Sequence, residues 1–451
     1  MVSSVQLTSL QKKKFRLIDT YSNYNYVINI LSDDLHQNIE YSVDYDKKTF
    51  ESLKNFIEYE SMLKEFLISF LKEKSEFFSL GNLFQLLNKE VLKKKLKIPY
   101  KLFIPIFFKA LQLEKLAPLL LDNQIDEIYI DSNEDNLYID HSRHGRCSTS
   151  IKLKKGEIES FIHRIALEND FSLNQVNPTM KADFISPLFH TRVTVDIPPL
   201  IIGDFNIDIR KFRNESLRLK DLIENNSITK NQALMLAFFI KNRVTITILG
   251  PPNSGKTTLQ NALIEFIPSH YRLISIEDVL EASSTRIGKT IKFRLGYDPY
   301  SNQLITKSLE IQKILHRSPD FINLGELSTE DHFNAFLNIL SVGIPSIQTI
   351  HGFNSQLLFI RLNDIYHIPL SLLKTSIPHI FVELAVTWNK NKKRRFVLRI
   401  AELNHEGKVK VIDDEVINSF FAQECNSSDI FTINFLKQMF DEPLSLRSFS
   451  I

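Results

Sequence analysis

Gly250-Pro251-Pro252-Asn253-Ser254-Gly255-Lys256-Thr257-Thr258 bring together, in one short run, what is needed to hold a chain of phosphates. The spacing is G-x4-G-K-[ST]. Glycine at 250 and 255 lets backbone N–H groups approach anionic oxygens where a side chain would obstruct. Lys256 supplies a full positive charge near the β- and γ-phosphates, and the Thr257 hydroxyl is suited to ligate Mg2+. Both flanks have the required period. Val244 to Leu249 is apolar and rich in β-branched residues, as a buried strand demands. Leu259, Ala262, Leu263 and Phe266 then share one face of a helix. The positive end of that helix adjoins the loop. Motif and context together specify binding of a nucleoside triphosphate.

Hydrolysis would need acidic groups for Mg2+ and water, and cations for the charge that develops on the transferred phosphoryl. Two strand ends carry such acids. Arg272 to Ile276 ends in Glu277-Asp278, with Glu281 one turn later, and Phe321 to Leu324 ends in Gly325-Glu326. A further strand, Ser346 to Ile350, ends at His351, where a polar side chain could sense a terminal phosphate. In an open α/β sheet, ligands sit at the carboxyl ends of the strands. That rule puts these groups at the edge occupied by the loop.

The elements that must position them fall into regions. Residues 231–451 alternate apolar strands with helices, the signature of an α/β core with a parallel sheet. Residues 214–230 read as a charged connector and hinge, because few apolar residues there are placed to pack. Residues 116–213 read as a small α+β domain. Its strands are expected at Glu127–Asp131, Leu137–Asp140, Arg192–Ile197 and Phe205–Phe212, with a helix at Gly156–Glu168. Residues 1–115 read as a mixed, mostly helical region. Met62, Leu63, Phe66, Leu67, Phe70 and Leu71 form a helical stripe, and short strand-like runs occur at Tyr26–Leu31 and Ile39–Val43.

Composition narrows the function. At 451 residues two or three domains are expected. Fifty-five Lys+Arg nearly cancel 53 Asp+Glu, so there is no general attraction to nucleic acid. Two cysteines, Cys147 and Cys425, exclude a disulfide framework and a four-cysteine zinc site. The start, Met1 to Leu10, is polar and does not read as a signal peptide. No run approaches the roughly 20 apolar residues of a membrane span. A cytoplasmic protein is expected. The basic run Lys390 to Arg395 reads as a solvated hairpin turn, with contact to acidic lipid as the alternative.

The phosphate loop, Ile276-Glu277-Asp278-Val279-Leu280-Glu281, Pro319 to Glu326 and Thr349-Ile350-His351, in that order, resemble the Walker A loop, Asp box, atypical Walker B and His box of the type II/IV secretion and type IV pilus ATPase superfamily. The similarity is greatest to the archaeal branch that powers archaella and pili. The segments Leu119–Ile130, Tyr138–Gly145 and Ile209–Phe212 extend it into the region before the core.

The resemblance implies a RecA-like P-loop NTPase core preceded by a small α+β (PAS-like) domain and an N-terminal helical region. It implies ATP and Mg2+ as ligands. Glu326 would polarise the attacking water, Glu277 and Asp278 would act near Mg2+ and the water, and His351 would stand by the γ-phosphate. Arg192 and Arg210 match arginines that reach a nucleotide at a subunit boundary. The implied assembly is a homohexamer, peripheral on the cytoplasmic face of the membrane. It would push on a polytopic membrane platform protein and, indirectly, on pilin-like subunits. Zinc-binding cysteines of the bacterial type II members are absent, and nucleic acid is not an expected partner. Three positions depart from the pattern: Ser328 and His316 replace arginines, and Gly352 replaces an alanine after His351. The alternatives are a DNA-translocating ATPase and a nucleotide-binding scaffold with little turnover.

Overall fold

The computed structural model describes residues 15–33, 38–45, 56–73, 79–131, 135–212, 217–277, 288–294, 297–298, 303–304, 306–368, 379–389, 392–403 and 409–412. The chain divides into two units: residues 1–214 with 388–393, and residues 215–387 with 394–451.

The first unit is built on one nine-stranded sheet. Its strands are β1 (Phe15–Asn23), β2 (Tyr26–Asp33), β3 (Ile39–Tyr45), β4 (Ile125–Ile130), β5 (Tyr138–His141), β6 (Gly145–Thr149), β7 (Thr179–Ser186), β8 (Phe189–Asp196) and β9 (Asn206–Phe212). They lie in the order β1-β2-β3-β6-β5-β4-β9-β8-β7. Helices α1 (Phe56–Glu73), α2 (Leu80–Leu92), α3 (Tyr100–Ala110), α4 (Ala117–Leu121) and α5 (Lys155–Glu168) complete it.

A separate, mostly helical region ending at residue 115 is therefore not what forms. Strand β3 pairs in parallel with β6 through Glu40↔Ser148 and Tyr41↔Thr149, so residues 15–45 extend the sheet of the following region. The physical reason is the alternation along β2, where Tyr26, Ile28 and Ile30 are buried on one face. Such a face needs a common core, and one apolar cluster indeed runs from Tyr26 to Ile209. Polar contacts reinforce the join. Tyr21 and Tyr41 donate their hydroxyl protons to Asp122 Oδ2, at 2.6 and 2.8 Å. Lys211 donates its ammonium protons to the carbonyls of Leu119 and Asp122, and burial pushes its pKa down to about 7.

In the second unit, α6 (Leu219–Glu224) and α7 (Lys230–Lys241) lead into an eight-stranded sheet. The connector expected at 214–230 thus contains the short helix α6, and α7 begins at its last residue. Leu219, Leu222 and Ile228 are buried in the core of this unit, because they share the inward face of a short amphipathic segment.

The sheet contains β10 (Thr245–Gly250), β11 (Leu273–Glu277), β12 (Thr290–Arg294), β15 (Phe321–Leu327), β16 (Ser346–His351), β17 (His379–Asn389), β18 (Lys392–Leu403) and β19 (Val409–Ile412). Two-residue strands β13 (Tyr297–Asp298) and β14 (Gln303–Leu304) pair separately. The order is β12-β11-β15-β16-β10-β17-β18-β19, and the pairs from β12 to β17 are parallel. Helices α8 (Lys256–Ile264), α9 (Lys307–Leu315), α10 (Glu330–Ser341) and α11 (Ser355–Ile360) connect them. Strand β10 is buried at every position, as expected of a central parallel strand.

Beside β10, Glu383 on β17 is fully buried. Its carboxylate accepts from Arg399 at 2.6 and 3.2 Å, and from the Ser355 backbone N–H and hydroxyl at 2.8 Å each. Removing the arginine would strand a buried charge. Arg399→Ala is expected to destabilise the unit by about 3–5 kcal/mol. Denaturant unfolding checks this, with Arg399→Lys retaining part of the loss.

Candidate phosphate-binding site

Strand β10 ends at Gly250 and helix α8 begins at Lys256, so residues 251–255 turn between them. The turn is specified locally. Gly255, at the start of α8, has φ +91°, a left-handed conformation that side chains rarely adopt. A Cβ added at Gly250 would lie 2.5 Å from Ser254 Oγ, closer than real Cβ atoms approach, and 3.0 Å from Leu384 Cβ, a tight contact. Ser254 Oγ is buried with no hydrogen-bond partner among the described residues. A concave turn at a helix N-terminus, with an unsatisfied hydroxyl inside it, fits an anion rich in acceptor oxygens.

Parallel pairing sets the neighbouring groups. Gly250 pairs with His351, and Thr349 on that same strand pairs with Glu326. The three strand ends β10, β16 and β15 therefore share one edge. The side chains form a hydrogen-bonded line. Lys256 Nζ lies 3.1 Å from His351 Nδ1, and His351 Nε2 lies 3.2 Å from Glu326 Oε1. A protonated lysine can only donate, which makes Nδ1 an acceptor and puts the imidazole proton on Nε2, facing the carboxylate. Lys256 also donates to the carbonyls of Gly250 and Pro251, at 3.1 and 3.0 Å. His351 and Glu326 are each 43% exposed, so the end of the line opens to solvent.

Glu277 is buried at the end of β11. It accepts from the Ser275 hydroxyl and from Asn323 Nδ2. Asn323 Nδ2 donates to Ser275 Oγ at 2.8 Å, and Asn323 Oδ1 accepts from Gln260 Nε2 at 2.7 Å. This network binds α8, β11 and β15 together behind the loop. Thr257 and Thr258 lie in the first turn of α8, both partly exposed. Asp278 and Glu281 fall outside the described residues.

Arg192 and Arg210 belong to the first unit, where they are paired directly across β8 and β9. Arg192 lies 3.6 Å from Asp183 and over the Phe212 ring, and Arg210 lies 3.9 Å from Glu127. Neighbouring acids thus offset two like charges that would otherwise oppose each other on the sheet.

Ser275, Gln260, Asn323 and Arg395 were not singled out in the sequence. Ser275 and Asn323 are polar residues set among buried apolar neighbours, a signal visible in the strings LISIE and FINLGE, and Gln260 is a buried polar residue of α8. Arg395 Nε donates to the Asn253 carbonyl at 2.8 Å, so the end of the basic run grips the loop and is not simply a solvated turn. Buried His379 on β17, whose pKa burial pushes down to about 3, lies 2.7 Å from Thr247 Oγ1 on the adjacent strand β10.

Residues 110–428 match the family model described as "Type II/IV secretion system protein". An uncharacterised protein of Methanocaldococcus jannaschii is 24% identical over 330 residues, 69% of this chain and 55% of its own length. Protein VirB11 of Rhizobium radiobacter is 41% identical over 118 residues, 26% of this chain and 33% of its own length. The chain thus spans about half or less of the length of these relatives. Among solved structures, the ATPase DotB of Yersinia pseudotuberculosis aligns with a TM-score of 0.48 and 16% identity, covering 74% of this chain and 86% of that one.

Proposed function

The chain belongs to the type II/IV secretion system protein family, and from that premise we propose that it is a Mg2+-dependent ATPase, the motor of a filament-assembly or secretion machine. What supports this reading is the line Lys256–His351–Glu326 beside the loop. It sets a cation, a neutral imidazole and a carboxylate along one sheet edge, in the order in which a terminal phosphate and an attacking water would meet them.

The backbone N–H groups of residues 253–258 hold the phosphates, Pro251 and Pro252 having none to offer, and Lys256 exchanges its carbonyl partners for β- and γ-oxygens. The Thr257 hydroxyl would hold Mg2+, which when bound would supply charge neutralisation for the phosphates. Glu326 accepts a hydrogen bond from the attacking water and aims its oxygen at the γ-phosphorus. The bond from water oxygen to phosphorus forms as the bond to the β–γ bridging oxygen breaks, ADP leaves with that electron pair, and the water's proton passes to Glu326 and then to the released phosphate or solvent. His351 donates from Nε2, first to Glu326 and then to the phosphoryl oxygens. Glu277 and Asp278 would help to hold Mg2+ and its water, as their place at the end of β11 and directly after it allows.

Arg192 and Arg210 serve the nucleotide of a neighbouring copy, an arrangement worth about 10^3–10^5 in rate where it occurs. It makes a ring of six copies the working form. The ring acts from the cytoplasmic face of the membrane on a polytopic platform protein, and through it on pilin-like subunits. Among the described residues no helix is long and apolar enough to cross a membrane. The test is phosphate release at saturating ATP, with and without Mg2+. Release that stops with EDTA and returns with added Mg2+ is expected. Nucleotide binding without any release would leave a scaffold and end the motor reading.

A further inference from the structure

Lys307 is a lysine where burial alone would select a leucine. It opens helix α9 behind the Thr306 N-cap and is fully buried. Its Nζ donates to the carbonyl of Leu324 at 3.0 Å and to the carbonyl of Glu326 at 2.8 Å. A desolvated ammonium is costly to hold, so its partners carry information about why it is there.

Those partners flank an irregularity in the strand that ends in the proposed water-orienting carboxylate. The β15–β16 register slips between Asn323 and Glu326, and Gly325 has φ +61°. A bulge of this kind takes carbonyls out of the ladder and re-aims the side chain that follows it. Three successive carbonyls here have side-chain donors. Gly325 O accepts from Thr349 Oγ1 and Gln260 Nε2, at 3.3 and 3.4 Å, while Leu324 O and Glu326 O accept from Lys307. On the donor side, the Gly325 N–H reaches Asn323 Oδ1 at 3.1 Å.

We propose that Lys307 is a positioning residue for Glu326: its ammonium holds open the bulge at Gly325 and so fixes the direction in which the Glu326 carboxylate leaves the strand. It touches backbone and acts through Glu326, with no contact to phosphate required. This rests on the reading of Glu326 as the residue that orients water. Regular pairing of β15 without the bulge would shift the pleat by one residue and turn Glu326 toward the opposite face. The charge matters because one group must satisfy two carbonyls at once in a dry site, which a methionine of similar length cannot do.

The test uses the full chain and four variants: Lys307→Met, Lys307→Gln, Glu326→Gln, and Lys307→Met with Glu326→Gln. Phosphate release gives kcat and KM, and a fluorescent ATP analogue gives Kd. Lys307→Met is expected to lower kcat by about 10^2, the effect of displacing a reacting group by an ångström, with Kd and KM changed less than about threefold. Lys307→Gln, which keeps two N–H donors, recovers part of the rate. It also stands in for the methionine variant if that one does not fold.

Because Lys307 acts through Glu326, the double variant releases phosphate at the rate of Glu326→Gln alone. Losses that multiply would show a general structural role and overturn the proposal, as would a Lys307→Met chain with wild-type kcat. Amide hydrogen exchange supplies a readout that needs no turnover. Faster exchange confined to residues 324–328 in Lys307→Met supports the proposal, and unchanged exchange there sinks it. If the wild-type chain itself releases no phosphate, the ATPase reading fails, and the exchange result still decides what Lys307 does.

Discussion

With glutamine at position 326, steady-state phosphate release falls by about 10^2–10^4, the usual worth of a positioned acid–base group, while the Kd for ATP stays within about threefold. Glutamine keeps the size of the side chain and an oxygen that can accept from His351 Nε2, 3.2 Å away in the wild type. What it loses is the negative charge that, in the proposed mechanism, polarises water. The loss therefore belongs to the transition state and not to binding of ATP. A phosphate-sensor assay at saturating Mg2+ and ATP, beside a fluorescent nucleotide titration, separates the two. Turnover within tenfold of wild type would remove Glu326 from the chemistry.

Lys256→Ala is expected to act earlier, at binding. Each hydrogen bond to a charged group is worth about 1.5–3 kcal/mol, so losing the ammonium weakens ATP binding by roughly 10–150-fold and brings release below detection. The alanine variant also leaves the carbonyls of Gly250 and Pro251 and the Nδ1 of His351 without this donor. Isothermal titration with ATP and with ADP is the measurement. Wild-type affinity for both would mean that phosphates do not lie in this loop.

The contrast between these residues and Lys307 shows what a sequence discloses. The turn at 250–258 is local: strand, glycine, left-handed turn and helix follow one another, and each is written in neighbouring residues. The acids at 277 and 326 and the histidine at 351 could be placed on one edge because parallel strands share a direction, a rule that needs no side-chain coordinates. Lys307 is different. It is one of many lysines in the chain, and its partners are the carbonyls of a bulge that exists only once β15 has paired. The same holds for Gln260, whose bond to Asn323 spans 63 positions.

The first unit was harder to read for a related reason. Strands β1 to β3 lie before four helices, and their partner β6 lies about a hundred residues further on. Local periodicity revealed segments of β2 and β3 but not the sheet they would join. Amphipathic helices in between drew the region toward a helical reading. Leu219 and Leu222 were hidden in a charged segment for the opposite reason: two apolar residues three apart are weak evidence until a core is present to receive them.

The position of β10 within its sheet has a consequence for biosynthesis. Its neighbours are β16 and β17, which begin at Ser346 and His379. A nascent chain that has just emerged past the phosphate loop exposes an apolar strand with neither flank in place; β16 can cover one flank once residue 351 has emerged, and β17 the other only after residue 379 has followed. Non-local pairing of this kind folds slowly and leaves sticky edges exposed in the interval. Fragments truncated between Ser346 and His379 should therefore precipitate or recruit chaperones, and shortening the chain to isolate the loop would destroy the site it was meant to preserve.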